Sequence, residues 1–226
     1  MKTESKVALA ALRALPIFST LSDEQLAAVA NVAVLRRIPR HALVLNAGDR
    51  IDSFYLTLSG SLKVVMGDDE GREVILSLLG PGDFFGEMGI IDGLPRSATV
   101  QATNASCLAV IAGAEFRRCM ADNFEVAFYV MRSLVKRLRI ANRKIESLSL
   151  LDVYDRVDRV LLDLAEDRDG HKVVSRHITR QEISQMVGAS REMVSRVMRD
   201  LQSRGVIEER DGLIWRCAES GAIGRV

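Results

Sequence analysis

Residues 86–98 read Gly-Glu-Met-Gly-Ile-Ile-Asp-Gly-Leu-Pro-Arg-Ser-Ala, and their types suit an anion held beside a polyol. Glu87 stands nine residues before Arg96, and Ser97 follows at once. An arginine offers a planar fork of donors and a serine an O–H, a pair that can hold a phosphate. An ionised glutamate only accepts hydrogen bonds, which suits a sugar hydroxyl. Gly86, Gly89 and Gly93 permit tight turns and close approach of backbone to a ligand. Together these groups fit a sugar joined to an anionic phosphate, that is, a nucleotide. The same spacing also fits a plain ion pair across a surface turn, and spacing alone does not separate the two.

The flanks add to the first reading. Gly80-Pro81-Gly82-Asp83-Phe84-Phe85 precedes the stretch, and Thr99-Val100-Gln101-Ala102 resumes a strand-like alternation after it. The whole run resembles the phosphate-binding cassette of cyclic-nucleotide-binding domains. That resemblance implies that Glu87 takes the ribose 2′-hydroxyl and Arg96 the cyclic phosphate. Ser97, the Gly86 backbone and Met88 complete the implied ligand contacts.

The elements that must position these residues are short. Residues 5–14 and 22–33 read as helices, the second with Ser22 as its cap ahead of Asp23 and Glu24. Between about 34 and 113 the pattern changes to brief β runs, at 42–45, 53–58, 61–66, 73–79, 97–102 and 106–111. Glycine-rich turns separate them, which predicts a sandwich or barrel. The resemblance sharpens this to a jelly roll. A long helix is predicted over roughly 123–150. Met131, Leu138 and Ile145 recur every seven residues, as do Leu134, Ala141 and Leu148. That is a heptad seam with charged flanks, which predicts a parallel two-stranded coiled coil and a homodimer. A helix packed on its own domain is the plainer alternative. Leu151-Asp152-Val153-Tyr154 reads as a hinge, 154–166 as an amphipathic helix and 166–170 as a charged loop.

A second constellation lies near the C-terminus. Thr179-Arg180-Gln181-Glu182 is a capping box that opens a short helix, and Val187-Gly188-Ala189 is a glycine turn. Ser190 then caps a second helix, from Arg191 to about Arg204. Helix, glycine turn and capped helix make a helix-turn-helix. Its second helix offers Arg191, Glu192, Ser195 and Arg196 to base edges in a major groove. Arginine reads guanine, glutamate accepts from cytosine and serine reaches either partner. A helical hairpin with a solvated charged face is the bland alternative. Residues 205–208 and 213–215 flank Arg210-Asp211-Gly212 as a hairpin, the wing of a winged helix, with Trp215 expected in the core.

From about residue 15 to 217 the chain resembles the CRP/FNR family of bacterial transcription regulators. The resemblance implies an α+β architecture: a cyclic-nucleotide-binding β jelly roll, a long dimerisation helix and a C-terminal winged helix-turn-helix. The corresponding domains are 1–122, 123–153 and 154–226. It also implies a cyclic nucleotide effector, cAMP or cGMP, and no prosthetic group. The implied partners are a second copy of the chain, RNA polymerase and a palindromic double-stranded operator with TGA-containing half-sites, close to TGTGA. Arg180, Gln181 and Ser190 join the four groove residues as expected DNA contacts. Family members that bind cyclic AMP contact its base through a Thr-Ser pair on the dimer helix. Those positions here are Ala141 and Asn142, so the base contact is altered. Cyclic di-GMP as effector, or a pocket that works without effector, is the alternative reading.

Composition sets the bounds. At 226 residues the chain is long enough for one large or two ordinary domains. Residues 1–122 carry 12 Lys/Arg against 14 Asp/Glu, and residues 123–226 carry 19 against 16, so the basic surplus lies in the second half. Cys107, Cys119 and Cys217 are far apart and form no Cys-x-x-Cys, which predicts small apolar residues in a reducing cytoplasm. An iron–sulfur set near the N-terminus and a clustered set of haem-ligating histidines are both missing from the sequence. No stretch approaches the ~20 apolar residues of a membrane span. No nucleophile–base set, metal spacing or phosphate-binding Walker loop occurs, so an enzyme is not expected.

Overall fold

Period-two alternation decides the first half of the molecule. In a strand, successive side chains point to opposite faces, so a strand buried at consecutive positions must be covered on both sides. Ser53–Ser59 is such a strand, with Phe54, Tyr55, Leu56 and Thr57 all buried. A computed structural model of the chain describes residues 5–50, 53–168, 171–175 and 177–217. Its first half contains, in order, β1 (Ser5–Lys6), α1 (Leu9–Arg13), α2 (Asp23–Val32), β2 (Val34–Ile38), β3 (Leu43–Leu45) and β4 (Ser53–Ser59). Then follow β5 (Leu62–Gly67), β6 (Glu73–Leu79), β7 (Phe84–Phe85), α3 (Met88–Asp92), β8 (Thr99–Ala102), β9 (Ser106–Ala112) and α4 (Gly113–Asp122).

The strands form two antiparallel sheets, ordered β1-β2-β9-β4-β7 and β3-β8-β5-β6. Two cores flank the larger sheet. Tyr55, Phe85 and Leu108 meet Leu62, Leu79 and Val100 of the smaller sheet in the sandwich interior. Phe54, Leu56, Phe84 and Ile111 point the other way, into a layer with Leu12, Phe18, Leu26, Phe116 and Val130. Phe54 stacks on Phe116 with ring centroids 3.6 Å apart. Adjacent residues of β4 and of β7 therefore serve different cores.

The long helix α5 (Phe124–Leu150) follows, and two compact units, residues 1–138 and 139–226, meet within it. The second unit continues with α6 (Val153–Leu164), β10 (Glu166–Arg168), β11 (His171–Val174), α7 (Arg180–Val187), α8 (Arg191–Ser203), β12 (Ile207–Arg210) and β13 (Leu213–Arg216). Its sheet has the order β10-β11-β13-β12. The core gathers Val157 and Leu161 of α6, Ile183 and Val187 of α7, Val194, Met198 and Leu201 of α8, and Ile207 and Ile214 of the hairpin. The capping box at Thr179 and Glu182 is complete in both directions, and Gly188 ends α7 with φ +63°. That left-handed turn is where glycine costs least.

Several expectations are corrected. The N-terminal helix expected over 5–14 begins only at Leu9, because Ser5 and Lys6 pair with Leu35 and Val34. Residues 166–168 form a strand paired with 171–173 instead of the expected loop; Asp169 and Gly170 lie outside the described residues. Trp215 is half-buried beside His171 and Arg210, and its neighbour Ile214 supplies the core. Cys107 and Cys119 are half-buried, Cys119 packing against the core of the first unit, and Cys217 is exposed.

Candidate functional site

The cassette is built around one glycine. Gly86 has φ +82°, and a Cβ there would lie 2.7 Å from Arg96 Nη1 and 3.0 Å from the Ser53 carbonyl. No other residue type fits without displacing the guanidinium or the β4 backbone. Arg96 is 5% exposed. Its Nη1 donates to the Gly86 carbonyl at 2.8 Å and its Nη2 to the Ser53 carbonyl at 2.7 Å. The guanidinium carbon also sits 5.8 Å from the Tyr55 ring centroid. The Arg96 backbone is fixed on both sides, with its N–H donating to Asp49 and its carbonyl accepting from Gly48.

Glu87 is 1% exposed, which removes the reading of a solvated surface ion pair. Its Oε1 accepts from Arg137 Nη1 of α5 at 2.8 Å. Arg137 also donates to the Phe84 carbonyl, and its guanidinium lies 4.7 Å from the centre of the Phe84 ring. Burial pushes the Glu87 carboxyl above the ordinary carboxylate range, and the nearby charges of Arg137 and Arg96 pull it partly back. Met88 is exposed on α3, and Ser97 is exposed with its Oγ 3.5 Å from Met88 Sδ. The structure thus collects Gly86, Glu87, Met88, Arg96 and Ser97 in one stretch of the first unit. Ala141 and Asn142 lie on α5 in the second unit, both exposed.

Arg137 was not singled out by sequence reasoning. It lies 50 residues from Glu87 and reads there as one more charge on the outer face of a long helix. Only pairing in three dimensions reveals it.

The outer surface of α5 carries a second feature. Phe124, Phe128, Met131, Val135, Leu138 and Ile145 are all exposed, at alternating spacings of four and three except where Asn142 takes the next place. The expected seam paired the Met131 row with Leu134 and its repeats. Leu134 instead packs against the core of the first unit, and the Phe128, Val135, Asn142 row runs beside Met131, Leu138 and Ile145.

In the second unit the Ser190 hydroxyl accepts from the Met193 N–H at 3.2 Å and caps α8. Arg191, Glu192 and Arg196 stand exposed on its first turns. Ser195 is half-buried, and its Oγ donates to the Arg191 carbonyl at 2.8 Å. Gln181 is exposed, while Arg180 pairs with Glu209 of the hairpin. Arg199, one turn beyond Ser195 and Arg196, extends the same exposed basic face, and its Nε donates to the Ser195 carbonyl at 3.3 Å. The three- and four-residue spacing would have identified it in the sequence.

Among the described residues no group of three or more His, Cys, Asp or Glu could hold a metal ion, and no helix is long and apolar enough to cross a membrane.

Comparison with known proteins follows the same division. Residues 35–123 match the cyclic nucleotide-binding domain, and residues 155–216 match the Crp-like helix-turn-helix domain. The cAMP-activated global transcriptional regulator Vfr of Pseudomonas aeruginosa is 37% identical over 182 residues, covering 76% of this chain and 84% of that one. The cAMP-activated global transcriptional regulator CRP of Haemophilus influenzae is 36% identical over 180 residues, covering 76% and 79%. Among solved structures, the c-di-GMP-responsive global regulator CLP of Xanthomonas campestris aligns with a TM-score of 0.75 and 28% identity, over 88% of this chain and 100% of that one. The chain belongs to the CRP/FNR family, whose members are DNA-binding transcription regulators and not enzymes.

Proposed function

We propose that this regulator works as a homodimer that reads a two-fold symmetric operator under the control of a cyclic mononucleotide, cAMP or cGMP. The observation that carries this reading is the pair of buried charges in the cassette, Glu87 held by Arg137 and Arg96 held by two carbonyls. Buried charges are costly, and a site that keeps them ordered suits a ligand that is itself anionic and hydroxylated. In this reading Arg96, Ser97 and the Gly86 N–H take the cyclic phosphate, and Glu87 takes the ribose 2′-hydroxyl. Met88 lines the ligand, and Ala141 and Asn142 face the base. The names of the relatives at 36–37% identity favour cAMP.

The exposed apolar row of α5 supports dimerisation, because an isolated helix leaves such a row in water. Residues 1–122 then form the effector domain, 123–153 the dimer helix and hinge, and 154–226 the DNA-binding domain. Arg191, Glu192, Ser195 and Arg196 read TGA-containing half-sites, and Arg180, Gln181 and Ser190 meet the phosphate backbone. RNA polymerase is the expected partner at the promoter, and the cytoplasm the expected location.

A second reading has one observation behind it: the structural likeness to a regulator described as responsive to c-di-GMP. Calorimetric titration of the protein with cAMP, cGMP and c-di-GMP decides between them. Binding of a mononucleotide that is lost in Arg96→Ala supports the first reading. Binding of c-di-GMP alone overturns it.

A further inference from the structure

We propose that Met193 reads the 5-methyl group of a thymine in each half-site, beside the base pairs faced by Glu192 and Arg196. The inference rests on α8 being the recognition helix.

Val194, Met198 and Leu201 turn inward and are buried. Met193 does not join them. It is 43% exposed, and among the described residues of this helix it is the one large hydrophobic side chain left outside. Its backbone is fixed, because its N–H is the donor that Ser190 caps. Around the helix axis it stands about 60° from Arg196 and about 100° from Glu192. It is the i, i+3 neighbour of Arg196, on the turn that leads into the groove.

A lone exposed methionine elsewhere would need no account. Here its neighbours are the polar readers, and they leave one feature of the groove unread. Arginine donates to guanine and glutamate accepts from cytosine, but neither recognises the thymine C5-methyl, which is read by apolar contact. An unbranched, polarisable thioether adapts to such a contact. Burying one methyl-sized group supplies roughly a three- to fivefold preference.

The test uses the full chain with cAMP and cGMP both in excess. Wild-type protein selects duplexes from a random library. Each thymine of the selected half-site is then replaced in turn by deoxyuridine, which removes only the methyl group. Fluorescence anisotropy compares wild type, Met193→Leu and Met193→Gln. At one thymine position the wild type and Met193→Leu lose about three- to fivefold per methyl removed. Met193→Gln binds the thymine and deoxyuridine duplexes alike. Indifference of the wild type to every replacement overturns the proposal, as does a full loss retained in Met193→Gln. Failure of the recognition reading looks different: the wild type selects no sequence under these conditions, with c-di-GMP or without any nucleotide, or Arg196→Ala keeps the wild-type preference and affinity. Either of those results removes both claims.

Discussion

Arg96 and Arg196 occupy opposite settings. The first is almost wholly buried and gives both ends of its guanidinium to carbonyls of Gly86 and Ser53. The second stands exposed on the first turns of α8, where its neighbour Ser195 bonds back to the helix. In the function proposed above, the difference follows from what each region would meet. A small ligand has few groups, so its pocket is ordered beforehand and the protein bears the desolvation of the charges. DNA brings its own phosphates and base edges, so the helix that reads it keeps its side chains in water until contact. Losing a side chain should therefore cost more in the pocket than on the helix.

Substitution can break or sharpen that contrast, and the largest effect belongs to the element between the two regions. In the proposed dimer, Ile145→Asp would place two carboxylates in an apolar seam, at a cost on the order of 5 kcal/mol per dimer. Light scattering should show monomers, and operator binding should fall with dimerisation. A dimer that persists would put the interface elsewhere. Next comes Arg96→Ala, expected to cost about 2–5 kcal/mol in nucleotide affinity, since a buried charged partner is lost. Arg196→Ala should cost about 1–3 kcal/mol on the selected operator and relax preference at one base position. Equal loss on random DNA would show a phosphate contact only. If Arg196→Ala cost more than Arg96→Ala, the contrast drawn above would be reversed.

The smallest effect is a pH dependence. Burial raises the Glu87 carboxyl above its unfolded value, so the folded state holds this proton more tightly. Stability associated with the protonated group is present at low pH. It is lost as pH rises from the ordinary carboxylate range through the raised value. Glu87→Gln cannot titrate there. Urea unfolding across that window should show the wild type losing ground to Glu87→Gln as pH rises, by at most about 1.4 kcal/mol per pH unit. A parallel pair of curves would place the Glu87 carboxyl at its ordinary value.

Much of this was legible in the sequence, for reasons that can be named. The cassette is contiguous, so glycine spacing and the Glu87, Arg96, Ser97 order lie in one stretch. The helix-turn-helix announces itself through two side-chain caps, both present in the structure. What escaped depends on contacts between distant elements or on patterns without contrast. Arg137 belongs to the cassette only because α5 passes Phe84 and Glu87. Glu166–Arg168 is exposed at every residue, so it has no alternation to betray a strand. The Leu134, Ala141, Leu148 row of α5 is divided: Leu134 packs on its own unit, while Ala141 and Leu148 are exposed like the Met131 row. Heptad counting finds both rows and cannot say which faces whom.

The strand β4 has one consequence beyond packing. Its side chains lock into two separate cores, and its main chain is paired on both sides, with β9 and β7. Amides so enclosed exchange with solvent only when the whole unit opens. The Ser53 carbonyl that steadies Arg96 belongs to this strand. Arg96 is therefore anchored to a backbone expected to exchange slowly, and a hydrogen-exchange experiment has in β4 a fixed clock against which any loosening of the cassette or of α5 can be timed.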